Sequence, residues 1–107
     1  MNQLPVRIGL AGLGTVGSGL VTILQQNAEW ICRRLGRAIV LAKVLERDQP
    51  KSCSLLLGPE TVRTTDPDAL VNDPDIDIVV ELMGGIDAAF SLIHKALSAG
   101  KHVVTAN

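Results

Sequence analysis

Val6-Arg7-Ile8-Gly9-Leu10-Ala11-Gly12-Leu13-Gly14-Thr15-Val16-Gly17 is the stretch whose reading decides the fold. Its first half is a short, nearly continuous apolar run, as expected of a strand buried on both faces. Its second half is Gly-x-Gly-x-x-Gly. After it, Val16, Leu20, Ile23, Leu24, Asn27, Ile31 and Leu35 recur at steps of three and four, the stripe of an amphipathic helix. The spacing predicts a helix from about Thr15 to about Leu35 with a break near Asn27. Gly36 follows its end, and Arg33 and Arg34 stand in its last turn, where a helix favours cations.

Strand, glycine turn and helix in this order give each glycine a separate task in a dinucleotide-binding fold. Gly12 permits the tight turn, Gly14 keeps a Cβ away from a pyrophosphate, and Gly17 lets the helix lie against the strand. The helix start offers unpaired N–H groups and the positive end of its dipole to a phosphate. The motif alone is weak, but a β-α-β context strengthens it.

The rest of the chain supplies that context. Ala38 to Leu45 reads as a second strand and Thr61 to Thr64 as a short third. Asp66-Pro67-Asp68 reads as a helix start with Asp66 as the cap. Ile76 to Leu82 is the fourth strand and ends at Gly84-Gly85. Asp87 is expected to cap a helix through about Ser98, with Ala89, Ile93, Ala96 and Leu97 on one face. Gly100 closes it, and Lys101 to Thr105 is the fifth strand. This alternation predicts an α/β fold over residues 1–107, a Rossmann-type doubly wound parallel sheet of about five strands with helices on both faces.

Composition narrows the function classes. The chain has 107 residues, enough for one domain that buries roughly two-thirds of its unfolded surface. Ten Lys and Arg against eleven Asp and Glu leave no basic footprint for nucleic acid. Trp30 and Phe90 are its whole aromatic supply, too little for base-stacking platforms. No apolar run approaches the roughly 20 residues of a membrane span, and the N-terminus has no signal-peptide pattern. Cys32 and Cys53 have neither a disulfide framework nor metal-ligand spacing, which fits reduced thiols in a cytoplasmic protein. No metal-ligand cluster appears, and His94 and His102 read as structural rather than catalytic.

The end of the second strand should choose the cofactor. An acid there accepts from the adenosine ribose 2′-OH and favours NAD, whereas an arginine accommodates the 2′-phosphate of NADP. Glu46-Arg47-Asp48 offers both, with Lys51 close behind. A charge pair at about 6 Å in an effective dielectric of about 20 is worth roughly 3 kcal/mol, so whichever side chain faces the ribose decides the preference. Glu81, at the tip of an apolar strand, needs a partner or a function, because an unpaired buried carboxylate is costly.

Gly-Leu-Gly-Thr-Val-Gly (12–17), Glu-Leu-Met-Gly-Gly-Ile (81–86) and Gly-Lys-His-Val-Val-Thr-Ala-Asn (100–107), in that order, resemble homoserine dehydrogenase, as does Asp75-Ile76-Asp77-Ile78-Val79-Val80. The first motif is generic to dinucleotide folds; the second and third together are specific. The resemblance spans essentially the whole chain. It implies the N-terminal nucleotide-binding domain of an enzyme that interconverts L-homoserine and L-aspartate 4-semialdehyde with NADP or NAD, on the route to threonine and methionine.

It also implies roles by position. Gly12, Leu13, Gly14, Thr15, Val16 and Gly17 would bind the pyrophosphate. Arg47 matches an arginine used for the 2′-phosphate in NADP-using members, and Lys51 is a looser match. Gly84 and Gly85 would line the nicotinamide side, with Thr105, Ala106 and Asn107 on the cofactor's inner face. Two departures stand out. Glu46 occupies a place where a small or apolar residue is commoner, and the family motif runs on into a lysine where this sequence stops. The substrate domain, with the family's catalytic Lys and Asp and its dimer-forming part, is therefore expected outside residues 1–107. These residues alone are expected to catalyse nothing and to form a homo-oligomer only with that domain. The alternatives are a sugar or inositol dehydrogenase domain, which typically continues into Glu-Lys-Pro where Thr105-Ala106-Asn107 stands, and a stand-alone nucleotide-sensing module of the kind that regulates potassium transport.

Overall fold

The computed structural model describes residues 4–46 and 57–106. Its elements run β1 (Val6–Ala11), α1 (Thr15–Gln26), α2 (Ala28–Leu35), β2 (Ile39–Leu45), β3 (Val62–Thr64), α3 (Pro67–Val71), β4 (Ile78–Glu81), α4 (Asp87–Ser98) and β5 (His102–Thr105). The five strands form one sheet in the order β3-β2-β1-β4-β5, every neighbouring pair parallel. The chain builds outward from β1 through β2 and β3, then returns to place β4 on the other side of β1. The order therefore reverses between β1 and β4, where ligands of such sheets bind, at the carboxyl ends of the strands.

Alternation along the central strands sends side chains to two separate cores. Ile8, Leu10, Val44 and Val80 pack with Val21 of α1 on one face. Ala11, Leu45 and Val79 pack with Leu70 and Val71 of α3 and Leu92 and Ala96 of α4 on the other. A one-residue slip in the β1–β2 register falls between Ile8 and Gly9: Ile8 pairs with Leu41, but Gly9 pairs with Lys43, leaving Ala42 unmatched. Such a bulge changes the phase of the strand. Leu41 packs with the α1 layer, while the Lys43 ammonium reaches Ala69 O of α3 at 3.1 Å and Asp73 at 3.0 Å.

The helix break is real, with Asn27 between α1 and α2, and Gly36 closes α2 at φ +81°. Asp66 caps α3 as expected, its side chain accepting from Asp68 N–H at 3.0 Å. Three details differ from the sequence reading. The buried line of α1 runs through Gly17 and Val21, whereas Val16 and Ile23 are 62% and 55% exposed. The bare Gly17 draws the helix onto β1 and so sets its rotation, overriding the larger apolar residues. In α4 the buried line is Ala89, Leu92 and Ala96, and Leu97 lies outside it, 59% exposed. Asp87 is the first residue of that helix rather than its cap; Ile86 holds the cap position, without a side-chain capping bond. As the first-turn acid it still complements the helix dipole.

Candidate functional site

The carboxyl ends of β1, β2 and β4 are tied together. Gly12 N–H donates to Leu45 O at 3.0 Å, Leu82 N–H to Ala11 O at 2.9 Å, and Glu46 N–H to Thr64 O at 3.0 Å. Gly12 turns at φ +99°, and a Cβ on it would lie 2.8 Å from Leu82 O. The turn out of β1 thus passes so close to the end of β4 that only glycine fits. At Gly17 a Cβ would run into Gly12 O. Two of the three motif glycines are therefore required by the protein's own backbone.

Gly14 is different. A Cβ there would meet nothing within 4 Å. It borders a cleft of about 340 Å³ walled by Gly12, Leu13, Glu46, Met83 and Gly84 among others. A glycine that no protein atom demands, on the wall of a cleft, is what close approach by a ligand requires. Directly beyond it α1 begins, with no side-chain cap and no acid in its first turn. The first N–H groups of a helix have no intrahelical partner, so this end is suited to an anion. Ser18 braces the turn, its hydroxyl donating to Leu13 O at 3.1 Å.

Two carboxylates fix the cleft's edges. Glu46 Oε2 accepts from Leu13 N–H at 2.7 Å, joining the end of β2 to the glycine turn. Glu81 is fully buried; its Oε2 accepts from Met83 N–H at 2.8 Å and its Oε1 from the Thr105 hydroxyl. Of the two readings left open for Glu81, a partner or a function, the structure supplies partners, and these bonds hold the turn after β4 that leads to Gly84 and Gly85. Gly85 adopts φ +89°, and neither of these glycines has an atom within 4 Å of a Cβ position.

The structure therefore brings Gly12, Leu13, Gly14 and Gly84 to one cleft, with Thr15, Val16 and Gly17 at the helix start beside it. Thr105 ends the neighbouring strand β5 and Ala106 follows it, its N–H donating to Glu81 O at 3.3 Å; they buttress Glu81 rather than wall the cleft. Arg47, Lys51 and Asn107 lie outside the described residues, as does Cys53. His94 and His102 are exposed, His94 stacking on Phe90. Among the described residues no group of three potential metal ligands assembles, and no helix is long and apolar enough to cross a membrane.

Sequence reasoning missed a second hollow of about 170 Å³ that adjoins the cleft through Leu45, Met83 and Ala88 and reaches Thr65, Ser91 and Lys95. These residues follow no motif. Their one signal is position, after the carboxyl end of β3 and along α4.

A parallel sheet whose order reverses at a glycine-lined cleft, with an uncapped helix start aimed along it, defines a dinucleotide-binding domain of the Rossmann class. A family profile described as the NAD-binding domain of homoserine dehydrogenase matches residues 12–107. The chain belongs to that family. It is 48% identical over 103 residues to homoserine dehydrogenase of Methylobacillus glycogenes, covering 96% of this chain and 25% of that protein. It is 46% identical to that of Pseudomonas aeruginosa, covering 23% of it. A solved homoserine dehydrogenase from Thiobacillus denitrificans superposes on the whole chain with a TM-score of 0.88 at 46% identity, this chain covering 25% of that one. The chain thus spans about a quarter of the length of these relatives. The cofactor that the family implies is NAD(P), and the open Gly14 wall and uncapped α1 start fit it.

Proposed function

We propose that this chain is the cofactor-binding part of a homoserine dehydrogenase, interconverting L-homoserine and L-aspartate 4-semialdehyde in the cytoplasm, on the route to threonine and methionine. The observation that carries the reading is Gly14: it borders the cleft, and only an outside ligand would use the space its missing side chain leaves. The nicotinamide cofactor supplies or takes up a hydride when bound. The chain's own residues bind and orient it.

The N–H groups at the start of α1, at Thr15 and Val16, meet the pyrophosphate. The Leu13 amide is engaged by Glu46, so Leu13 shapes the turn. Gly84 and Gly85 leave the nicotinamide side free of side chains. Thr105 and Ala106 stand behind Glu81 and hold that turn in place; the family resemblance alone assigns Arg47 and Lys51 to the adenosine ribose and Asn107 to the cofactor's inner face. The residues that remove the alcohol proton and hold the amino-acid substrate belong to the part of the relatives that this chain does not span, as does the homo-oligomer contact. Titration of the purified chain with NADH, followed by cofactor fluorescence, tests the reading: saturable binding that Gly14→Val abolishes, with circular dichroism unchanged, is expected. Binding that survives Gly14→Val would overturn the assignment.

A further inference from the structure

Where β4 leaves the sheet, successive backbone N–H groups need acceptors. Leu82 N–H donates to Ala11 O at 2.9 Å, extending the β1–β4 ladder one step beyond Glu81. Met83 N–H comes next, and there β1 is already turning away at Gly12, packed so close that a Cβ on Gly12 would lie 2.9 Å from Met83 N. The acceptor for Met83 N–H is Glu81 Oε2, 2.8 Å away. Glu81 Oε1 accepts from the Thr105 hydroxyl, and Glu81 O from Ala106 N–H at 3.3 Å. One fully buried side chain thus ties the Met83 wall of the cleft to the end of β5, where no solvent stands by to replace a lost partner.

From this junction we propose that Glu81 is a positioning residue for the nicotinamide half of the cofactor. The inference rests on the dinucleotide reading above and deepens it. The turn after β4 carries Gly84 and Gly85, the second at φ +89°, and neither has an atom within 4 Å of a Cβ position. Two adjacent glycines leave a backbone permissive. The path of this turn is therefore set by what holds its start, which is the bond from Met83 N–H to Glu81. The part of the site that takes the pyrophosphate is built differently, from Gly14 and the start of α1, after β1. Loosening Glu81 should accordingly disturb the two halves of the cofactor unequally: the nicotinamide loses a defined wall, while the adenosine and pyrophosphate keep theirs. Thr105 extends the same support to β5, so its hydroxyl is part of the device.

The test is to measure dissociation constants for NADH and for ADP-ribose, which has the adenosine, the pyrophosphate and the second ribose but no nicotinamide. The unaltered chain should bind NADH tighter than ADP-ribose and enhance its nicotinamide fluorescence. Glu81→Met keeps the length of the side chain and removes its acceptors. It should weaken NADH about tenfold and abolish the enhancement, with ADP-ribose affinity unchanged. Glu81→Gln keeps an oxygen for Met83 N–H and an amide for the Thr105 hydroxyl, and should restore NADH binding. If Glu81→Met does not fold, Thr105→Val carries the test, with a smaller loss that again falls on NADH alone. Equal weakening of both ligands in the folded variant overturns the proposal, as does NADH binding that it leaves unmoved. A folded Glu81→Gln as impaired as Glu81→Met also overturns it, since charge rather than support would then be at work. A chain that binds ADP-ribose but NADH no tighter overturns this inference while the dinucleotide reading stands; a chain that binds neither overturns both.

Discussion

Thr105 donates its hydroxyl to Oε1 of Glu81 across the register pair that ends β4 and β5. The other carboxylate oxygen takes Met83 N–H, so one fully buried acid ties the tips of two strands to the turn bearing Gly84 and Gly85. Removing the Thr105 donor deprives a buried charge of a partner, which costs about 1–3 kcal/mol. Thr105→Val should therefore lower the unfolding free energy measured in urea by that amount. Glu81→Ala should cost more, about 2–4 kcal/mol, because it adds a cavity to the loss of Met83's acceptor. Glu81→Gln should be milder than Glu81→Ala, since a Thr hydroxyl can turn to accept from the amide.

The three motif glycines should separate under alanine substitution. At Gly12 and Gly17 a Cβ meets backbone oxygen, so Gly12→Ala and Gly17→Ala should reduce stability by about 2 kcal/mol or more, Gly12→Ala also from φ +99°. At Gly14 the space is open. Gly14→Ala should leave the thermal midpoint almost unchanged while weakening NADH binding. Equal thermal shifts at all three positions would contradict this division.

Asp73 gives the fold an acid-sensitive link. Asp75 N–H donates to it at 2.9 Å and the Lys43 ammonium lies 3.0 Å away; these hold its carboxyl below the ordinary 3.8. A depressed folded value means that the stabilisation is fully present above about pH 4 and is lost as pH falls through the folded-state value. Asp73→Asn keeps an oxygen for Asp75 but loses the ion pair, and should cost about 1–2 kcal/mol at neutral pH. Urea unfolding from pH 7 to pH 2 should show the gap between the two proteins closing only in the acid range. A gap that widens there would reverse the sign and refute the assignment.

This link also marks the limit of what the sequence makes legible. The placement of the strands along the chain, the break at Asn27 and the Asp66 cap follow from patterns local to a few residues, and the glycine turn carries its own signature. Lys43 sits inside an apolar strand with nothing nearby to explain it; its partner is thirty residues on, and the bulge at Ala42 that turns it toward α3 appears only when β1 and β2 are paired. Gly9 is similar. A Cβ on it would lie 2.6 Å from Leu70 Cδ1, so it serves a helix that the motif does not mention. The rotation of α1 was hidden for the same reason: close approach at Gly17, not the count of large apolar residues, decides which side is buried. At the site, Glu46 was visible as a charge, but its bond to Leu13 depends on the turn between β1 and α1 reaching the end of β2.

The last expectation concerns the chemistry. Hydride transfer needs the alcohol carbon held about 3–3.5 Å from the acceptor carbon and a group that takes the hydroxyl proton. Among the described residues the two carboxylates at the cleft have structural duties: Glu81 is fully buried beneath Met83 and Thr105, and Glu46 holds Leu13. His102 pairs with Ile78, at the amino end of the sheet and away from the cleft. His94 lies in the second half of α4, stacked on Phe90. The cleft thus cradles a cofactor on one side, with no base set opposite it by these residues. Residues 1–107 mixed with L-homoserine and NAD or NADP should give no rise in reduced-nicotinamide absorbance above background, even where titration shows the cofactor bound. A longer polypeptide that also contains the remainder spanned by the relatives should turn over. Turnover by residues 1–107 alone would show that a proton acceptor lies within them, and Glu46→Gln and Glu81→Gln would then be the first variants to assay.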